Sequence, residues 1–406
     1  MGQSRQRPAP GGAPIWSSPF RPFYLLGAAY ALVLMAAWLG AWLGAWAAPW
    51  GGTTLALWHG HEMLFGVVAA IAIGITLTAL PSWPGTGEVR GRRLALLVAL
   101  WLAGRLACWA APWLAPAWRA AIDALFFPAV FAVVAPQLLR TPNRLYLLLL
   151  PILAGLFAAN LAWHAGVIAA DAGTAALGLR GGVYALIVLF VLKGGVLTPI
   201  FTGNALREKG RGDQAPFVMA LDTAAVVLVL ALAAMDLAGA PPLWTGSTAL
   251  ACALVHGWRV ARWKGWRVAD VPLVFVMHLG FAWLVFAFAL KAATALGSAV
   301  PEPAWLHAFT VGALGMMMLG LMTRVVLRHT GRPLVVPRAM QAGWAMMFAA
   351  ALLRLAATVH ELGPWAVALA ALLWAAPFAI YLLLFARMLV APSLPRAPAS
   401  VTDRIA

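Results

Sequence analysis

The chain has 406 residues, of which 64% are hydrophobic and only 10% are charged, and its mean hydropathy is +0.89. Soluble domains carry about 25% charged residues, so this composition excludes an ordinary water-soluble protein. The net charge of +16 could indicate nucleic-acid binding, but the basic residues lie in short loops between apolar stretches. We therefore predict an all-α polytopic membrane protein with no nucleic-acid partner.

Apolar stretches long enough to cross a bilayer as helices recur along the whole chain. A spanning helix needs about 20 residues, and the first stretch is too long for a cleaved signal peptide. One membrane domain is expected at 16–391, between tails at 1–15 and 392–406. We predict twelve spans within it, at 20–47, 55–80, 94–114, 118–139, 144–168, 178–203, 216–238, 242–262, 271–295, 303–326, 338–360 and 364–390.

The basic residues fall into alternate loops of this twelve-span arrangement. One side holds nearly all of the arginines and lysines, whereas the other holds only Arg119, Arg180 and Lys291. Cytoplasmic loops are enriched in these residues. The bias therefore predicts that both termini lie in the cytoplasm.

The first four spans resemble the last four. His61, Gly66 and Gly74 have the same spacing as His307, Gly312 and Gly320. Arg105-Leu106-Ala107 recurs as Arg354-Leu355-Ala356, and Leu26-Gly27 recurs as Leu279-Gly280. We predict three four-helix units, at 16–140, 141–268 and 269–391, of which the middle one has diverged most. The alternative is chance agreement among glycines and leucines in apolar sequence.

Two histidines and a glutamate, His59, His61 and Glu62, open the second span. Ionisable groups inside a membrane are expensive and usually functional. Residues two apart on a helix are separated by about 200°, so the two imidazoles cannot easily share one metal. They could bind two centres on opposite sides of the span, or the helix could begin between them so that only His61 points inward.

Four further histidines are candidate metal ligands: His164, His307, His278 and His329. The topology places the first two at the same outer face as His59 and His61. His278 and His329 lie toward the cytoplasmic side. Neutral imidazole is a ligand of both haem iron and copper, and the alternative is an interfacial histidine capped by a carbonyl or a lipid headgroup.

Arg105, Arg354 and Lys193 lie well inside predicted spans, where a cation must be paired or face water. Arg105 and Arg354 could bind haem propionates, because a guanidinium forks onto carboxylates. Lys193 and Glu62 are candidate catalytic residues, Glu62 as a proton donor or as the acid that orients a ligand imidazole. The alternative for the arginines is a structural ion pair with Glu62, Glu361 or Asp123.

Other residue types give weaker indications. The two cysteines, Cys108 and Cys252, lie in apolar runs and are read as core packing. The methionines of span ten could form a copper thioether site, but packing is the preferred reading. No phosphate-binding loop, dinucleotide fingerprint, Cys-rich zinc motif or hydrolase triad is present, and no Cys-x-x-Cys-His motif for covalent haem attachment occurs.

Several long motifs, in order, resemble the NnrS family across essentially the whole chain. They are Phe20-Arg21-Pro22-Phe23, Trp58-His59-Gly60-His61-Glu62-Met63-Leu64-Phe65-Gly66, Leu77-Thr78-Ala79-Leu80-Pro81-Ser82-Trp83, Pro199-Ile200-Phe201-Thr202-Gly203-Asn204-Ala205-Leu206, His307-Ala308-Phe309-Thr310-Val311-Gly312-Ala313-Leu314-Gly315, Met322-Thr323-Arg324 and His329-Thr330-Gly331-Arg332. The resemblance implies haem b and copper, a bacterial inner membrane, nitric oxide metabolism and resistance to nitrosative stress. The chain departs from the family pattern at Val196, where a basic residue is usual, and at Arg328, where glycine is usual; Lys193 is the candidate substitute for the first.

The leading functional hypothesis is a nitric oxide reductase supplied by an unidentified electron donor. Haem iron and a second metal would each hold one nitric oxide molecule, so that N–N coupling becomes intramolecular. Twelve spans in four-helix units also resemble the haem–copper oxidase architecture, which is an analogy of fold only. A non-catalytic haem, copper or metal-nitrosyl binding protein is the alternative. A twelve-span transporter is the third, although its site would lie at the midplane rather than at the outer face.

Overall fold

Each of the twelve predicted intervals forms a long helix. The computed structural model describes residues 13–47, 53–83, 85–360 and 362–395, and no β-strand occurs in these residues. The prediction of an all-α fold is therefore confirmed. The long helices are α1 (Phe20–Trp42), α2 (Leu55–Ser82), α3 (Arg92–Trp109), α4 (Pro116–Leu138), α5 (Arg144–Ile168), α6 (Ala172–Glu208), α7 (Met219–Leu237), α8 (Pro242–Arg262), α9 (Pro272–Ala295), α10 (Glu302–His329), α11 (Arg338–Val359) and α12 (Pro364–Val390).

Ten of these helices are long and apolar enough to cross a membrane, which makes the chain a multi-pass membrane protein. The other two, α3 and α8, are less apolar because they bury polar groups against neighbouring helices. Arg105 of α3 and Arg259 of α8 are both buried. Arg259 donates from Nε to Oδ1 of Asp222 over 2.7 Å, so its charge is compensated inside the protein.

The helices form one closed bundle. Consecutive helices pack against each other, and α12 returns to pack against α1. The second helix of each predicted unit contains a π-helical segment, in which the backbone makes i→i+5 hydrogen bonds and which often marks a functional site. These segments are Glu62–Val68 in α2, Phe190–Gly194 in α6 and Ala308–Leu314 in α10.

The packing of α1 on α2 is repeated by α9 on α10. A Cβ at Gly66 would lie 2.6 Å from the ring of Tyr30, and a Cβ at Gly312 would lie 2.4 Å from the ring of Trp283. The second glycine of each motif behaves alike: Gly74 faces Phe23, and Gly320 faces Val276. If the first four helices and the last four are structurally related, their packing should match in this way. The division of the chain into three units stays a prediction.

The loops after α6 and after α8 meet at one end of the bundle. Asp270 accepts hydrogen bonds from Arg211 and Lys209, each over 2.6 Å. These bonds hold the pKa of the Asp270 carboxyl well below its usual range, and the bond from Arg211 contributes most. The two loops therefore lie on the same side, as the predicted alternation of basic loops requires.

We expect Gly178→Ala to destabilise the bundle, because α5 and α6 touch through their backbones at this position. A Cβ at Gly178 would lie 2.5 Å from the backbone nitrogen of Trp163 and 2.7 Å from the carbonyl oxygen of Ala159. Overpacking of this kind costs about 1–3 kcal/mol. Thermal unfolding in detergent measures the effect, with Gly181→Ala as the control, since its Cβ would meet only the Ala159 methyl at 3.7 Å. Equal melting temperatures for the two variants would contradict the close approach.

Candidate metal centre

A group of polar side chains is buried where α2, α3, α4 and α5 meet. We call it the acid–histidine cluster, and its members are His61, Glu62, Arg105, Cys108, Asp123, Asn160 and His164. Every one of them is buried, and His61 and Glu62 have no solvent-exposed surface. Aromatic rings enclose the cluster: Trp163 stacks on His61 with ring centroids 3.8 Å apart. A polar group of this size inside an apolar bundle requires a dense set of internal partners.

The local backbone of α2 explains how two adjacent residues both point inward. The α-helical part of α2 ends at His61, and the π-helical segment begins at Glu62. The wider π turn shifts the side chains that follow it relative to an unbroken α-helix. Trp101 of α3 donates to the carbonyl oxygen of Gly66 over 3.1 Å, which fixes this segment against α3.

Arg105 joins the two carboxylates of the cluster. Its guanidinium donates to Oε1 of Glu62 over 2.7 Å and also to Oδ1 of Asp123. Tyr30 of α1 donates to the other oxygen of Glu62 and accepts a hydrogen bond from the indole of Trp109 over 2.8 Å. Each acidic group is thus held by charged or polar donors, as buried carboxylates must be.

His61 faces a hydrogen-bond acceptor on each side of its ring. Its Nδ1 lies 2.9 Å from Oε1 of Glu62, and its Nε2 lies 2.9 Å from Oδ1 of Asn160. The amide nitrogen of Asn160 donates to Asp123, and this bond turns the amide oxygen toward His61. Both contacts are hydrogen bonds only if the imidazole carries two protons. In that state the imidazolium and the Arg105 guanidinium balance the two carboxylates.

Four members of the cluster could together hold a metal ion. One ligand atom each from His61, Cys108, Asp123 and His164 lies within 4.8 Å of all the others. Two imidazoles, a thiolate and a carboxylate suit a transition metal such as copper or zinc rather than magnesium or calcium. Glu62 would then accept from Nδ1 of His61, which leaves Nε2 free to coordinate, the usual outer-shell arrangement of a metal-bound histidine. The donor set therefore fits a metal.

His59 lies on the other side of α2 from His61. Its ring packs against Trp38 of α1 with centroids 4.8 Å apart. It also lies within electrostatic range of His307 of α10 and Arg354 of α11. The geometric prediction that the two histidines point to opposite sides of the span is thus confirmed.

His307 is oriented by its own helix. Its Nδ1 lies 2.8 Å from the carbonyl oxygen of Pro303, which can only accept, so Nδ1 carries the proton and Nε2 keeps its lone pair. The guanidinium of Arg354 donates to the hydroxyl of Thr358 over 2.7 Å and has no carboxylate partner among the described residues. Glu361, a possible acid partner by sequence, lies outside the described residues. This second group therefore offers two imidazoles and a cation.

The remaining sequence-predicted residues lie apart from both groups. His278 of α9 shares a hydrogen bond of 2.8 Å with Thr202, at the opposite end of the bundle. His329 packs against the ring of Phe20 with centroids 5.7 Å apart, also at that end. The ammonium of Lys193 lies 3.9 Å from the ring centroid of Trp83. The six candidate metal histidines thus separate into two pairs, His61 with His164 and His59 with His307, and two single residues.

The structure adds residues to the site that were not expected from sequence. Cys108, which was predicted to be core packing, is one of the four residues that could hold a metal ion, whereas Cys252 lies elsewhere. Asn160 links His61 to Asp123. One signal was available: Asn160 and His164 are four residues apart, on one face of an otherwise apolar span. A second was the spacing of Arg105 and Cys108, which also share a helix face.

A family model described as "NnrS protein" matches residues 14–393, which is nearly the whole chain and includes both histidine pairs. No curated protein matches the sequence.

Proposed function

We propose that this chain, which belongs to the NnrS family, binds a metal ion in the acid–histidine cluster and binds nitric oxide there. The NnrS family is linked to the nitric oxide response. The observation that carries the proposal is the buried convergence of His61, Cys108, Asp123 and His164 from four different helices. Imidazole and thiolate donors favour copper among the metals of the hypothesis. A bound copper ion would supply a redox-active site that coordinates nitric oxide.

Haem b is assigned in this proposal to the second group. His59 and His307 supply imidazole nitrogens, and Arg354 supplies a guanidinium that lacks an acid partner among the described residues. Imidazole is a common haem ligand, and a guanidinium matches the carboxylates that haem carries. The two groups flank α2 from opposite sides, so two centres would be held by a single turn of one helix.

The proposed reaction is the reduction of nitric oxide. Two molecules of nitric oxide take up two protons and two electrons to give nitrous oxide and water, and the electrons come from a separate donor. Glu62 is the residue proposed to pass protons to the cluster, because one oxygen of its carboxylate accepts from Tyr30 and the other faces Nδ1 of His61. Tyr30, Glu62 and His61 form a continuous hydrogen-bonded chain along which a proton can move to the cluster.

Binding without turnover is the second candidate function, and one observation favours it. Arg105 and a doubly protonated His61 already balance the charges of Glu62 and Asp123. A cluster that is neutral without a metal could serve stability, or could take up metal or nitric oxide stoichiometrically. Consumption of nitric oxide beyond the number of bound metal centres, in the presence of an electron donor, distinguishes the reductase from the binder.

We expect Cys108→Ser to reduce the metal content of the purified protein and its spectral response to nitric oxide, because a hydroxyl is a poor substitute for a soft thiolate ligand. Cys252→Ser is the matched control, since Cys252 is equally buried but lies outside the cluster. Metal analysis and anaerobic optical spectra before and after nitric oxide addition provide the measurement. Wild-type protein free of metal after expression with copper and haem available would refute the proposed centre.

A further inference from the structure

Two apolar cavities lie in line along α2. The larger has a volume of about 90 Å³ and lies between α2, α6 and α10, the three helices with π-helical segments. The smaller has a volume of about 10 Å³ and lies between α2, α4, α5 and α6. Ala72, Thr76, Leu186 and Leu189 line both cavities, so only their side chains separate the two spaces.

The smaller cavity extends toward the acid–histidine cluster, since two of its lining residues lie within about one helical turn of cluster members. Leu64 of α2 and Leu156 of α5 line it. Leu64 is followed by Phe65, whose ring centroid lies 5.1 Å from that of His61, and Leu156 lies one helical turn before Asn160. The larger cavity reaches Ala79 and Trp83 near the other end of α2. From Ala79 to Leu64 the helix rises about 22 Å at 1.5 Å per residue, which is roughly half of the length of α2.

The lining selects against ions and water. In the larger cavity the polar lining residues are Thr76 and Lys193, and the Lys193 ammonium lies over the ring of Trp83. Methionine, leucine, isoleucine, alanine and phenylalanine side chains form the rest. Apolar cavities of this kind stay dry and bind apolar gases such as xenon. The smaller cavity is at the size limit for one water-sized molecule, so side-chain motion must open it for passage.

We propose that these two cavities form a gas path, through which a small uncharged diatomic molecule moves from the Trp83 end of α2 to the acid–histidine cluster. The destination of the path, a metal ion in the cluster, rests on the proposed function. The two cavities can bind gas whether or not that function is correct. Nitric oxide is uncharged and small, so it needs no polar partner on the way. Ala72 is the position at which a larger side chain would close the path, because it lines both cavities and its own methyl group fills little of the space between them.

Ala72→Leu places a larger side chain between the two cavities, and Leu186→Ala replaces a large side chain there with a small one. We expect Ala72→Leu to slow the approach of nitric oxide to the metal about tenfold, equivalent to an added barrier of about 1.4 kcal/mol, without changing the metal content. Leu186→Ala should leave the rate equal or raise it. The control is Ala56→Leu, the same change at an exposed position of the same helix. Stopped-flow mixing of reduced protein with nitric oxide gives the rate, and metal analysis confirms that the centre is intact.

Xenon provides a test that does not depend on nitric oxide chemistry. Crystals of the full chain under xenon pressure should show xenon in the larger cavity, and Ala72→Leu should alter the occupancy next to Thr76. If xenon binds in a protein that holds no metal, the proposed function is refuted, but the claim that the cavities bind gas still stands. Absence of xenon from both cavities, or an unchanged nitric oxide rate in Ala72→Leu protein with intact metal, would overturn the gas path.

Discussion

Arg105→Met should destabilise the protein severely, by about 3–5 kcal/mol, the usual cost of removing one partner of a buried ion pair. The guanidinium is buried and donates to both Glu62 and Asp123. Methionine matches its length but leaves two carboxylates with His61 as their remaining cationic partner. We expect little folded protein in detergent, and a strongly lowered melting temperature for whatever is recovered.

Arg354→Met is the matched control for this experiment. Arg354 occupies the related position in the last four helices and sits in the same Arg-Leu-Ala sequence, but its described hydrogen bond goes to the Thr358 hydroxyl. Its removal uncovers no described carboxylate, so the melting temperature should change little. A combined Arg105→Met, Glu62→Gln and Asp123→Asn variant should recover part of the lost stability, because neutral groups replace the uncompensated charges. Equal stability of the two single arginine variants would show that the buried ion pairs do not hold the fold.

His164→Gln should abolish metal binding while the protein still folds. His164 contacts the cluster through a single hydrogen bond, from Nε2 to Oδ2 of Asp123 over 2.9 Å, and Arg105 and Asn160 still hold that carboxylate. Loss of an outer-shell partner of a metal site costs about 10–100-fold in affinity, so loss of a direct ligand should cost at least as much. Copper titration of the purified, metal-depleted protein measures the affinity.

His256→Gln serves as the control for His164→Gln. His256 is also buried and hydrogen-bonded, to the carbonyl oxygen of Ala225, but lies outside the cluster. Its replacement should leave copper affinity unchanged, so any difference between the two variants reports the site and not burial. Undiminished copper affinity in His164→Gln protein would remove His164 from the ligand set and leave its bond to Asp123 as a structural contact.

The helices could be placed from sequence to within a few residues, with a physical reason. Backbone groups in a bilayer must be satisfied within each segment, so an apolar stretch of spanning length has to be a helix. The largest departures are at α1 and α3, which end at Trp42 and Trp109 rather than at residues 47 and 114, and at α6, which runs over Ala172–Glu208 rather than 178–203. The opposite orientation of His59 and His61 also followed from sequence, because the angle between residues is fixed by helix geometry.

Membership of the acid–histidine cluster could not be predicted in the same way. Cys108 and Cys252 are alike in sequence, because each is a single thiol in an apolar helix. Of the two, only Cys108 lies with His61, Asp123 and His164. Arg105 and Arg354 share their local sequence, yet Arg105 donates to Glu62 and Asp123, whereas the described hydrogen bond of Arg354 goes to the Thr358 hydroxyl. Hydropathy fixes where a helix begins and ends but not its rotation about its own axis.

The amino-acid sequence alone therefore determined the class of protein, the positions of its helices and the two-sided arrangement of histidines on α2, because these depend on local geometry and on transfer into lipid. Only the tertiary structure decided which side chains meet. It placed Asp123 and His164, from different helices, against His61, and it separated His278 and His329 from both histidine pairs. Such contacts join residues far apart in the chain, and they follow from how the helices pack against one another.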